Sequence, residues 1–209
     1  MAEEYARLDL QQDVPIAGGT SREIVVYRPR AKDLLPLVGL RARDQLEHFV
    51  ASCCRAVNGG NTVAFKATEL EASDAAEISD CAASLGKDVL GFELSPENGD
   101  GVTSPLFYTL REKVTLRRGE EDPEPINITQ ISFQARRLGE ISEFLDAPAG
   151  SAEEFRAFMR TFGTLVGVNL PMTDLVIDNL DYTDYLIIRS RIMGKLVRSR
   201  GRWKKTSTI

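Results

Sequence analysis

With 209 residues, 43% of them hydrophobic, and a formal net charge of −5, the chain is long enough to bury one sizeable core or two small ones. Its apolar runs fall short of the roughly 18–20 residues that cross a bilayer. The acidic start Met1-Ala2-Glu3-Glu4-Tyr5 lacks the basic-then-apolar order of a secretory signal, and three cysteines without CxxC spacing make neither a disulfide framework nor a zinc site. These features predict a globular protein of the cytoplasm without membrane contact, in which Cys53, Cys54 and Cys81 are core or half-buried thiols.

In chain order, Val14-Pro15-Ile16 and Ile24-Val25-Val26-Tyr27 flank Gly18-Gly19, a hairpin pattern because glycine supplies the positive φ of a tight connection. The run RPRAKDLL at 28–35 leads into a helix over 43–57, with Leu46, Phe49, Val50, Cys53 and Val57 on one face and Asn58-Gly59-Gly60 as a left-handed stop. Thr68-Glu69-Leu70 precedes Asp74-Ala75-Ala76-Glu77, which opens a helix over 74–85 closed by Gly86. A Gly/Asp/Pro-rich break occupies 95–105. Beyond it, Leu106, Tyr108, Leu110, Val114 and Leu116 keep a period of two, and Gly119 to Pro123 turns the chain into 126–133. The result is a long two-stranded ribbon that first-copy strands could join. Ser151-Ala152-Glu153-Glu154 is a capping box ahead of a stripe of Phe155, Phe158, Met159, Phe162, Leu165 and Val166. Thr173-Asp174-Leu175 and then Asp181-Tyr182-Thr183-Asp184 introduce a last helix reaching about Val197.

The order therefore repeats, as in an internal duplication. Matching Ala31 to Ala135 puts Phe133 in place of Pro29 and Arg137 in place of Asp33. Matching the later signals pairs Thr68 with Thr173 and Asp74 with Asp181. The expected fold is α+β: two related units, each a β-hairpin or ribbon followed by amphipathic helices, at 1–94 and 106–198. A linker at 95–105 joins them, and a basic tail follows at 199–209.

Chemistry finds little to build on. His48 is the only histidine, and no Ser-centred elbow, P-loop, dinucleotide fingerprint or HExxH is present. Asp174, Asp178, Asp181 and Asp184 lack the tight alternation and central glycine of a calcium loop and read as helix caps and solvated acids. The i, i+3, i+7 spacing of Phe155, Phe158 and Phe162 is that of a core helix. No catalytic residue, cofactor site or metal site is expected, and the chain reads as a non-enzyme. From Arg191 onward it carries seven basic residues and no acid, which leaves −12 on residues 1–190 once that +7 is taken from the total of −5. Arg198, Arg200, Arg202, Lys204 and Lys205 surround Trp203, a combination suited to an acidic protein surface or to self-association ahead of nucleic acid.

One motif is specific enough to suggest a family. Arg28, Pro29, Ala31, Asp33 and Leu34, followed by Leu70 and Asp74, resemble the pattern of bacteriophage tail assembly chaperones, the small type found in contractile-tailed, Mu-like phages. The likeness covers about 13–86; members are single units, whereas this chain doubles the unit and adds the basic tail. The resemblance implies an assembly factor in the host cytoplasm that coats the tape-measure protein until tail-tube subunits polymerise around it. Partner contacts would then fall on Arg28, Pro29 and Asp33 and on the tail residues Arg198, Arg200, Arg202, Trp203, Lys204 and Lys205. The alternative it leaves open is a baseplate or tail-hub component that stays in the virion, with the ribbon and basic tail locking neighbouring subunits.

Overall fold

The computed structural model describes residues 3–85, 96–101, 103–116, 124–168 and 170–198. The fold is α+β, with two antiparallel sheets that each open a unit. In the first unit β1 (Glu4–Ile16) and β2 (Gly19–Tyr27) form the expected hairpin, followed by a helical turn α1 (Ala31–Leu34) and the helix α2 (Ala42–Cys53). The chain then passes directly into β3 (Cys54–Asn58), β4 (Asn61–Val63) and helix α3 (Ala72–Leu85), giving sheet order β1-β2-β3-β4. The second unit repeats the plan: β5 (Leu106–Leu116), β6 (Ile126–Phe133), α4 (Ser142–Asp146), α5 (Ala152–Phe162), β7 (Gly163–Leu165) and α6 (Asp174–Asp178). Its last helix begins as α7 (Tyr182–Ile187), continues through a π-helical segment (Ile188–Met193) and ends as α8 (Gly194–Arg198).

Several boundaries differ from the sequence expectation. The helix over 43–57 stops at Cys53, because Cys54 pairs with Val26 and the following residues alternate between core and rim as strand residues do. Asn58-Gly59-Gly60 is therefore a hairpin turn and no helix stop. Asn58 faces Asn61, and the two central glycines hold φ of +57° and +85°, the positive pair that a type I′ turn requires. Gly60→Ala is expected to cost about 1 kcal/mol of stability through that φ, readable as a lowered calorimetric melting temperature; an unchanged melting temperature would mean the turn tolerates a side chain. In the second unit the helix likewise ends at Phe162, and Leu165 is buried as part of β7. First-copy strands do not join the ribbon; its third strand is β7. The expected stop at Gly86 lies outside the described residues.

Backbone pairing exposes the duplication. Asp9 faces Glu23 and Val14 faces Ser21, so five steps on β1 are matched by two on β2; Thr109 and Val114 face Gln130 and Ile128 in the same proportion. Both first strands thus carry a bulge of three extra residues at the same place, and β1 has a further one-residue shift between Glu4 and Ala6. After each long helix the chain re-enters the sheet against the hairpin's second strand, Cys54 opposite Val26 and Gly163 opposite Phe133. Leu10 accordingly matches Leu110, and the stripe Leu46, Phe49, Val50, Cys53 matches Phe155, Phe158, Met159, Phe162.

Hydrogen bonds correct the remaining correspondences. Arg30 N–H donates to Asp33 at 2.9 Å and Arg137 N–H to Glu140 at 2.8 Å, so Glu140 takes the place of Asp33, and Arg136 that of Pro29. The turn's acid is kept, as a glutamate. Asp74 accepts from the bulge amides of Gln11 and Gln12, and Asp184 from those of Arg111 and Glu112. Ala75 N–H donates to Glu71 and Tyr185 N–H to Asp181, both at 2.9 Å. Asp74 therefore matches Asp184, Glu71 matches Asp181, and Thr68 falls on Asp178; the Thr-acid-Leu triplet at Thr173 lies five residues too early.

The units do not divide cleanly at 95–105. Gly101 is buried, its carbonyl accepts from Ala135 N–H at 2.6 Å, and a Cβ there would lie 2.4 Å from Leu196 Cδ2, so this stretch is packed on the second unit. Ala31, Leu34 and Leu35 of the first unit belong to the larger, second core, while Leu10, Val14, Ile24, Val26, Phe49, Val50, Cys53 and Ile78 form the smaller one. Tyr182 packs against both.

Candidate functional site

The apolar side of α2 is not fully covered. Ala42, Leu46 and Phe49 recur at helical spacing and line a groove with Ser79, Ala82 and Ala83 of α3, together with Leu34, Leu37 and Tyr182 of the second unit. Because the α3 residues are small, they leave an open groove of about 350 Å³. The second unit fills the matching space. The corresponding stretch of its last helix carries Arg189, Ile192 and Met193, where a π segment fits one extra residue, and Leu46 is replaced by Phe155, whose ring meets Tyr185 edge-on at 4.8 Å. Phe158 stacks on Phe162 at 5.0 Å and on Phe133 at 5.8 Å, and Phe144 packs edge-on against Phe162 at 5.4 Å. The larger side chains on the second unit's helices thus occupy positions where the first unit carries smaller ones beside its groove.

The seam beside the groove is polar. Arg28 Nε lies 2.6 Å from Asp181 Oδ2 and Nη2 3.1 Å from Oδ1, a bidentate pair, with Thr183 Oγ1 at 3.4 Å and Glu112 Oε1 at 3.6 Å. The hydrogen bond to Asp181 is the main cause holding Arg28's pKa above its ordinary value, while burial first, and then the charge of Asp181, raises that of Glu112. Alongside, Arg30 Nη1 donates to Asn179 O at 2.9 Å, Ala31 N–H to Leu180 O at 2.9 Å, and Arg30 forms an isolated β-bridge with Asp181.

Arg28 and Asp33, expected at a partner surface, are thus engaged within the chain, and Pro29 is buried in the seam. The side chain of Arg198 and all of Arg200, Arg202, Trp203, Lys204 and Lys205 lie outside the described residues. The four aspartates at 174, 178, 181 and 184 go to separate partners: Asp174 to Arg160 at 2.6 Å, Asp178 to Arg156 at 2.9 Å, Asp181 to Arg28, and Asp184 to the β5 bulge. Among the described residues no group of three or more His, Cys, Asp or Glu could hold a metal ion, and no helix is long and apolar enough to cross a membrane. His48 is half-buried on α2.

Cys53 and Cys54 are buried and Cys81 is half-buried. Burial pushes all three thiols up, that of Cys54 to about 12, so thiolate is scarce at neutral pH. In native protein Cys81 is expected to react first with a disulfide reagent, and Cys53 and Cys54 only on unfolding. Three thiols released at one fast rate without denaturant would contradict that packing.

Sequence reasoning missed where a groove would lie and the role of Asp184; Ser79, Ala82 and Ala83 at i, i+3, i+4 were the available clue to the first. The arrangement is that of a tandem α+β protein with an open apolar groove lined by α2, α3 and Tyr182 of the second unit. No family model, curated protein or solved structure matches the chain.

Proposed function

We propose that this protein is a non-enzymatic assembly factor for bacteriophage tails, holding an apolar helical segment of a tape-measure or tail-tube protein in the groove between α2 and α3. The observation that carries this reading is the open groove itself: an amphipathic helix laid in a groove offers anchors at i, i+3 and i+7, and α2 faces α3 across a gap that small side chains keep unfilled. The motif from Arg28 to Leu34 with Leu70 and Asp74 supports the same assignment by its resemblance to tail assembly chaperones. An acidic body would keep such a chaperone soluble while its partner is handed on. The protein would act in the host cytoplasm during assembly.

Mass spectrometry of infected-cell lysates and purified particles tests the reading. The protein should co-purify with tape-measure or tube protein from lysate and be missing from mature virions. Ala83→Trp, which fills the groove from an exposed position, should lose the partner while keeping its melting temperature. Stoichiometric recovery from virions would make it a baseplate or tail-hub component instead.

A further inference from the structure

Each unit carries two surfaces, and only one of each is used. The first unit's turn at Arg28 to Leu35 docks on the start of the second unit's last helix, where Leu180, Asp181 and Thr183 are 0%, 2% and 2% exposed. The matching helix start in the first unit is open: Glu69, Glu71, Ala72 and Ser73 are exposed and Leu70 is half-buried. The matching turn in the second unit is open as well, with Arg137, Gly139 and Glu140 exposed and Arg136 half-buried. A turn of one kind gripping a helix start of another is a heterologous contact, which leaves one unused half at each end and extends by repetition.

The unused halves keep the features that make the internal contact. Backbone geometry recurs in the turn, where Asp33 N–H donates to Arg30 O at 2.9 Å and Glu140 N–H to Arg137 O at 3.0 Å. It recurs in the helix start, where Leu70 N–H donates to Ala67 O and Leu180 N–H to Ile177 O, both at 3.2 Å. Charge is complementary. Arg137 stands where Arg30 does, and Arg30 reaches the carbonyl of Asn179 and bridges to Asp181; at those two positions the open helix start carries Glu69 and Glu71.

We propose that separate molecules join head to tail by repeating between chains the docking that the two units make within one, the turn Arg136 to Glu140 of one molecule settling on Glu69 to Ser73 of the next. The contact is weaker than the internal one, since Ala135 replaces Arg28 and exposed Ser142 replaces buried Leu35. It is therefore reversible and concentration-dependent, and its occupant is a second copy of this chain.

Sedimentation of the full-length protein over a wide concentration range tests this. The weight-average mass should climb with concentration and fall with added salt. Arg137→Glu and Glu71→Arg should each lower the association constant by about fivefold, as expected when an exposed attraction becomes a repulsion. Because both positions are exposed, each variant should keep its circular dichroism. The two variants mixed, or the swaps combined in one chain, should restore association. A monomer at every concentration, association indifferent to both swaps, or swaps that fail to restore it would each overturn the proposal.

Discussion

Asp184→Ala is expected to lower unfolding stability by about 3–5 kcal/mol, the largest loss from any single exchange outside the aromatic core. The carboxylate is 0% exposed and accepts from Tyr108 Oη at 2.7 Å, from Arg111 N–H at 3.1 and 3.2 Å, and from Glu112 N–H at 3.5 Å. Those amides lie in the bulge between Thr109 and Val114, so removing the acid takes away their carboxylate acceptor and leaves the buried Tyr108 hydroxyl without it. Asp74 does the same work in the first unit with two bonds, 2.9 Å from Gln11 N and 3.4 Å from Gln12 N. Asp74→Ala should therefore cost less, about 2 kcal/mol. Urea unfolding followed by circular dichroism measures both, and an equal or reversed order would refute the account of the bulge.

The same residue supplies a pH dependence. Burial is the main cause raising the Asp184 carboxyl above its ordinary value, against the pull of Tyr108 and the Arg111 amide. The native state thus holds this proton more tightly than the unfolded chain does. Its contribution to stability is full below the unfolded carboxylate value near pH ~4 and is lost as pH rises through the raised folded value. Asp184→Asn should remove that segment of the stability–pH profile. A profile unchanged by the substitution would place the titration elsewhere.

Much of the fold was legible wherever a period ran uninterrupted. Leu106, Tyr108 and Leu110 alternate and are buried, and Ser151 caps α5 by accepting from Glu154 N–H at 3.0 Å. What escaped was decided by distant partners. Cys53 and Val57 continue the helical spacing of α2, so nothing local marks Cys54 as the start of a strand; pairing with Val26 sets it. Asp184 reads as one more helix-start acid until the β5 bulge, more than seventy positions earlier, is brought against it. The groove depends on which face of α3 meets α2, and the spacing of Ser79, Ala82 and Ala83 does not by itself say what that face meets. The Arg28 motif was visible, but its use was not, since Asp181 lies 153 positions away.

Arg28→Ala is expected to cost about 2 kcal/mol and to loosen the seam between the units. Its side chain is 27% exposed, whereas Asp181 is 1% exposed, so the pair is screened on one side only and the loss falls below that of a fully buried bridge. Without the guanidinium, Asp181 keeps one partner: its Oδ1 still accepts from Thr183 N–H at 2.9 Å as the helix cap. Asp181→Ala removes both the ion pair and the cap and should cost more, about 3 kcal/mol. Arg28→Lys keeps the charge but not the fork that meets both carboxylate oxygens, so it should recover less than half of the loss. Hydrogen exchange at Ala31 N–H, bonded to Leu180 O at 2.9 Å inside the seam, reports the opening directly. Its exchange should quicken in Arg28→Ala, while the β2–β3 amides around Val26 and Cys54 stay protected. Unaltered exchange at Ala31 would mean that packing of Leu34 and Leu35 in the second core closes the seam without the ion pair. Quickening at both places would mean that the two units unfold together, and that the seam is part of a single cooperative structure.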